Sequence, residues 1–202
     1  MSYDLYIGDY AYSSWSLRGW LLVHRFGLNA RNIMIPFSKQ DVAEQMADIG
    51  TARTVPTLVC NDGAVVSESA AIAEELAARH PDAGIWPSDP KARATAWTLL
   101  TEMASGFTAL RGDCPMSLRV CYSDAAPSGA VLADLARLEE IWSNARAQRT
   151  SDGPWLLGEY SAADAFFAPV AGRIAGYSLP VGTDAATYVA AHLADPAFRR
   201  WR

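Results

Sequence analysis

Cysteine is scarce and scattered: three in 202 residues, Cys60, Cys114 and Cys121, with no C-x-x-C among them. That excludes a thioredoxin-type redox pair and a zinc ribbon, both of which need closely spaced thiols, and no metal is expected. Cys60 falls in an apolar stretch and reads as core, whereas a disulfide between Cys114 and Cys121 is open but unsupported. Histidine is equally sparse, with only His24, His80 and His192. None lies beside a serine-rich loop and there is no G-x-S-x-G, which argues against a Ser-His-Asp hydrolase. No Lys/Arg-rich block relieves the net charge of −5, so nucleic acid and anionic membrane surfaces are not the expected partners. No run of about 18 apolar residues is present to span a membrane. The start, Met1-Ser2-Tyr3-Asp4, lacks a basic segment followed by an apolar run, so no signal peptide is read and the expected location is cytoplasmic.

What is present is ordinary globular material, 50% apolar and 19% charged, enough for one large domain or two small ones. Residues 3–7 read as a strand, 16–26 as a helix closed by Gly27, and 32–37 as a second strand. Within that helix Leu17, Trp20, Leu21 and His24 follow the i, i+3, i+4, i+7 spacing of a buried stripe. Strand, helix and strand so close together make a βαβ unit with parallel strands. A short polar helix over 41–48, a hairpin and a helix over 69–80 complete the order β-α-β-α-β-β-α, a mixed sheet with helices on its faces.

The composition then changes. Residues 81–90 hold three prolines and read as a linker. Beyond it only helical periodicity is seen: Trp97, Leu100, Met103, Phe107 and Leu110 within 92–110, then Val131, Leu135, Leu138, Trp142 and Ala145. A third helix covers 161–174, and 184–201 holds one or two more. The expected organisation is therefore an α/β domain over 1–80, a linker over 81–90 and an all-α domain over 91–202. Ser161-Ala162-Ala163-Asp164 is a capping box with Asp in place of Glu or Gln, and losing it is expected to cost about 1 kcal/mol or more.

Two stretches carry chemistry. In 54–72, T-V-P-T-L-V-C-N-D-G-A-V-V-S-E-S-A-A-I, Pro56 enters an apolar strand over 57–60, and Asn61-Asp62-Gly63 turns it back through 64–67. Glu68-Ser69 then opens a helix. A helix start offers open N–H groups to a carboxylate, and Glu68 suits an ammonium, so an α-amino acid group would satisfy both. Ser69 as a plain N-cap is the alternative. The second stretch, Tyr12-Ser13-Ser14-Trp15-Ser16-Leu17-Arg18, lies between the first strand and the first helix, where a loop aims hydroxyls and N–H groups at a ligand. One serine must cap that helix; three exceed the need. Without a base, a serine can still hydrogen-bond an anion. Lowering a thiol pKa by about two units from about 8.5 takes roughly 2.7 kcal/mol. A charge-assisted hydrogen bond gives about 1.5–3 kcal/mol and a helix N-terminus about 0.3–1, which together suffice.

In this order and spacing, the S-S-x-S-x-R loop, V-P-T-L with S-E-S-x-A-I, and S-A-A-D resemble the cytosolic glutathione transferase family, serine-type and zeta-like, over nearly the whole chain. The resemblance implies a thioredoxin-like N-terminal domain followed by a helical domain, a homodimer, and glutathione as co-substrate. It implies that Ser13 stabilises the glutathione thiolate, with Ser14, Ser16 and Tyr12 as alternatives. It further implies that Val55, before a cis Pro56, pairs its backbone with the cysteinyl unit, and that Glu68 and Ser69 hold the γ-glutamyl end. Lys39, Gln40 or Arg53 would meet the glycine carboxylate. A pocket for a small hydrophobic electrophile would be walled by Tyr10, Tyr12, Trp15, Met103, Phe107 and Arg111, with a core role equally open to Met103 and Phe107. The implied activity is sulfur transfer to that electrophile or reduction of a peroxide. The alternatives are a non-catalytic glutathione-binding or partner-docking protein, or a glutathione-dependent isomerase or dehalogenase. Trp15 stands where zeta-like members carry Cys, which counts against maleylacetoacetate isomerase.

Overall fold

The computed structural model describes residues 3–123, 126–149 and 151–202; Met1 and Ser2 of the chain start lie outside the described residues. The chain divides into two compact units, residues 1–85 with Trp201, and 86–200 with Arg202.

The first unit is a four-stranded sheet in the order β2-β1-β3-β4, formed by β1 (Tyr3–Ile7), β2 (Ala30–Met34), β3 (Thr57–Val59) and β4 (Val65–Ser67). β1 and β2 are parallel, with Tyr3 opposite Ala30 and Ile7 opposite Met34, as a βαβ unit requires. The other pairs are antiparallel. β1 alternates buried and half-buried side chains, and Tyr3, Leu5 and Ile7 point into the core. β2 lies two residues earlier than the reading of 32–37. It is an edge strand exposing Arg31 and Asn32, so its apolar pattern is weak, and its register is set by pairing with β1 instead. The hairpin closes at Gly63, whose φ of +87° is cheap only for glycine, with Cys60 and Ala64 bonded across it.

Helix α1 (Ser14–His24) buries Leu17, Trp20, Leu21 and Leu22, and α3 (Ser69–Arg79) buries Ile72, Ala73 and Leu76. Helix α2 (Val42–Gln45) is a single turn, shorter than the expected 41–48. Beside it Ile35, Met46 and Ala52 form a small cluster of their own. A 3₁₀ turn over Pro81–Ala83 follows α3.

The second unit is helical: α4 (Pro90–Ser105), α5 (Thr108–Asp113), α6 (Gly129–Ala147), α7 (Ala162–Gly176), α8 (Thr183–Ala194) and α9 (Pro196–Trp201). The continuous helix expected over 92–110 is broken. α4 ends at Gly106, and Phe107 takes a left-handed conformation with φ +54° before α5 begins. Phe107 and Leu110 are nevertheless buried, so the apolar spacing carries through the break while the backbone does not. α7 is buried along most of its length, and Asp164 at its start is buried completely. Asp164 accepts from the Ser161 N–H at 2.9 Å and hydroxyl at 3.2 Å, from the Leu156 N–H at 3.1 Å, and from the Tyr188 hydroxyl at 2.8 Å. Cys60 and Cys114 are buried free thiols, and Cys121 is an exposed one, so no Cys114–Cys121 disulfide forms.

Candidate functional site

The serine run resolves into three different roles. Ser13 is the N-cap of α1: its Oγ accepts from the Ser16 N–H at 3.3 Å and donates to Ser16 Oγ at 2.8 Å. Ser16 Oγ in turn accepts from the Gly8 N–H at 2.8 Å, which hooks the end of β1 to the start of α1. The hydroxyls of Ser13 and Ser16 are thus buried and spent on the loop. Ser14 is half-buried, and its hydroxyl makes no hydrogen bond among the described residues. Of the three, it is the one left to donate outward.

Arg18 shapes the same loop from below. It is fully buried, its Nη1 donates to the Ser14 carbonyl at 3.3 Å, and its guanidinium carbon lies 4.3 Å from the Trp15 ring centroid. The reading of the sequence gave Arg18 no role; its i, i+3 and i, i+4 spacing from Trp15 and Ser14 was the available signal.

The second stretch meets the first here. Val55–Pro56 is a cis peptide. Thr57 Oγ1, donating to the Thr54 carbonyl at 2.8 Å and bonded to Ser67 Oγ at 2.9 Å, ties this corner to β4. Pro56 packs directly on Gly19 of α1: a Cβ on Gly19 would lie 2.6 Å from Pro56 Cβ. Glu68 stands at the N-cap of α3 with φ +70°, unusual for a residue with a side chain. Its carboxylate is exposed and makes no bond among the described residues. Ser69 is buried, and its hydroxyl donates to the Trp15 carbonyl at 3.5 Å.

Trp15, Thr54, Val55, Pro56, Glu68 and Ser69 line one cavity of about 100 Å³. The first N–H groups of α3, unpaired within the helix, lie at residues 69–71. Larger cavities, of about 550 and 360 Å³, lie within the second unit. Volume alone does not place a site; the convergence of open donors and a free carboxylate does. Thr54 was missed from sequence, where nothing distinguishes it from any residue preceding V-P-T.

The remaining candidates are placed as follows. Lys39, Gln40 and Arg53 are exposed and stand outside the lining of the small cavity. Tyr10 is half-buried and Tyr12 is 53% exposed, both in the first unit. Met103 and Phe107 are buried in the second unit, and Arg111 Nη1 bonds the carbonyls of Ala104 and Gly106 at 3.1 and 3.2 Å. Among the described residues no group of side chains suited to a metal ion is found, and no helix is long and apolar enough to cross a membrane.

Residues 12–79 match the glutathione S-transferase N-terminal domain. A curated relative, the probable maleylacetoacetate isomerase of Caenorhabditis elegans, is 36% identical over 105 residues, 49% of this chain and 48% of that protein. The chain therefore spans about half the length of the curated relative it matches. A glutathione transferase homologue from Burkholderia GL BGR1, solved with bound glutathione, superposes with a TM-score of 0.73 at 22% identity, covering 100% of this chain and 96% of that one. Glutathione transferase Omega 3C from Trametes versicolor gives 0.73 at 18% identity, covering 100% and 89%. Residues 12–79 are thus similar to a glutathione S-transferase N-terminal domain, and the chain as a whole shares the fold of these solved glutathione transferases.

Proposed function

We propose that the chain is a glutathione transferase, binding glutathione in the first unit and activating its sulfur for attack on a small hydrophobic electrophile or a peroxide. One observation carries the reading: the open N-terminus of α3 and the free Glu68 carboxylate line a cavity that also takes in Trp15, the residue after Ser14. An α-carboxylate on the α3 N–H groups and an α-ammonium on Glu68 would seat the γ-glutamyl end. A cavity of about 100 Å³ takes only that end; the cysteinyl unit would then pair with the backbone of Val55 and reach toward the serine loop. Ser14 would donate to the thiolate, supported by its unspent hydroxyl, while Ser13 would act through the loop as cap. Lys39 or Arg53, both exposed, would meet the glycine carboxylate in solution. Within the first unit Tyr10, Tyr12 and Trp15 remain the proposed electrophile contacts, and homodimer assembly and a cytoplasmic location are proposed with them.

The test is titration of bound glutathione by thiolate absorbance. The bound thiol should ionise about two units below the free value of about 8.5. Ser14→Ala should return it by at least about one unit, equivalent to about 1.4 kcal/mol. Ser13→Ala should leave the thiol pKa in place and lower stability by about 1 kcal/mol, the value of a cap. An unshifted thiol in the unmodified protein, or an unchanged one in Ser14→Ala, overturns the mechanism. Bound glutathione with no turnover across a panel of electrophiles and peroxides would leave a binding protein. A second reading, glutathione-dependent isomerisation, is favoured by the name of the curated relative and opposed by Trp15; cis–trans isomerisation of maleylacetoacetate decides it.

A further inference from the structure

A second cavity, of about 360 Å³, lies wholly within the helical unit, between α6 and the start of α8. That volume is at the lower end of small-molecule sites. Its floor is apolar: Trp142, Tyr188 and Ala185 are buried, with the Trp142 and Tyr188 rings 4.9 Å apart in edge-to-face contact. Its rim is charged in both senses, by Glu139 and Arg146 of α6 and Asp184 of α8.

These charges do not satisfy one another. Arg146 makes one bond among the described residues, from Nη1 to the Pro154 carbonyl at 3.1 Å, and is paired with neither carboxylate. Glu139 uses one oxygen to accept from the Gly182 N–H at the N-cap of α8. Asp184 makes no side-chain bond among the described residues. α8 has no side-chain cap, so the N–H groups of its first turn stay open beyond Gly182. Trp142 on the floor is itself incompletely satisfied: its indole N–H is buried and has no acceptor among the described residues. Such groups are normally met by protein, water or ligand oxygen.

A plain anion would meet Arg146 and the helix start but be repelled by Glu139 and Asp184. A plain cation would face the converse. We propose that this cavity binds a small zwitterion of the α-amino-acid class with an apolar side chain. Its carboxylate would sit toward Arg146 and the first turn of α8, its ammonium toward Asp184 and the second Glu139 oxygen, and its side chain over Trp142 and Tyr188. The site is independent of the proposed glutathione site and does not rest on it.

Calorimetry on the full chain tests this with L-phenylalanine, 3-phenylpropionate, which lacks the ammonium, and phenethylamine, which lacks the carboxylate. Phenylalanine should saturate one site per chain with a Kd of about 1 mM or tighter, and each truncated probe should bind about tenfold more weakly. Arg146→Gln and Asp184→Asn, both at the rim and checked for an unaltered melting temperature, should each weaken phenylalanine about tenfold. No saturation by about 20 mM, equal binding of the three probes, or full-strength binding to both variants overturns the proposal.

Discussion

Asp164 shows how much a single residue can do when it is buried with its partners. A cap of this kind is ordinarily worth about 1 kcal/mol. Here the carboxyl also accepts from the Leu156 N–H and the Tyr188 hydroxyl, so it joins the segment before α7, the start of α7 and the side of α8. Removing it strands several buried donors, each costing about 1–3 kcal/mol. Asp164→Ala should therefore lose at least about 3 kcal/mol, read as a lower midpoint of urea unfolding. A loss near the cap value alone would mean that water replaces the other bonds. The capping box was legible from S-A-A-D; the bonds from Leu156 and Tyr188 were not, because no local pattern announces a partner 24 residues away. The serine loop repeats the lesson. Three serines within four residues signalled more than a cap, but only the bonds among Ser13, Ser16 and Gly8 show which of them is spoken for.

Among elements, α1 and the Val55–Pro56 corner are the pair on which the proposed glutathione site depends. Gly19 in the middle of α1 would usually be improved by alanine, by up to about 1 kcal/mol. In this protein the new methyl would lie 2.6 Å from Pro56 Cβ and 2.7 Å from its Cγ, and a proline ring cannot swing aside. Overpacking of that kind costs about 1–3 kcal/mol, so the clash outweighs the propensity. Gly19→Ala should lower stability and also weaken glutathione, because relief of the clash moves Val55. Unchanged affinity beside lowered stability would separate the corner from the site. Element existence was largely readable: β1, the hairpin, the opening of α3 after Glu68-Ser69 and the apolar stripes of α1, α4 and α6 all follow from period and turn residues. Two features were not. β2 is an exposed edge whose register its neighbour sets, and the α4–α5 break hides beneath an apolar spacing that continues through Phe107.

Across the whole molecule, the two units bury ionisable groups differently. The second encloses Asp164, Arg173, Tyr188 and His192. Burial holds His192 near a pKa of about 3, among the rings of Trp155, Tyr160 and Tyr188. Unfolded, this histidine takes a proton near pH 6.5. The unfolded state thus binds more protons between about pH 6.5 and 3, and stability must fall as pH drops through that window. At pH 5 the loss from this group is about 2 kcal/mol. Burial pushes the Asp164 carboxyl up, which acts in the opposite sense, its native proton being lost as pH rises. Comparison with His192→Phe isolates the histidine: the drop in unfolding free energy between pH 7 and pH 5 should shrink by about 2 kcal/mol. Equal drops would show that the ring reaches water before the unit unfolds.

The hook from Gly8 to Ser16 has a consequence for change by insertion. Because the Ser16 hydroxyl receives the Gly8 amide, the first beyond the first strand, residues 9–15 form a closed circuit of fixed circumference. Lengthening it by one residue would pull that hydroxyl off its donor and rotate every side chain behind it. The stretch leaving β2, around residues 37–41, is exposed, and what spans it is a long flexible side chain, Gln45 Nε2 donating to the Pro36 carbonyl at 3.0 Å and the Gln40 carbonyl at 2.7 Å, which can follow a longer loop. Diversity in loop length among proteins built this way is therefore expected to collect after the second strand and to avoid the first turn.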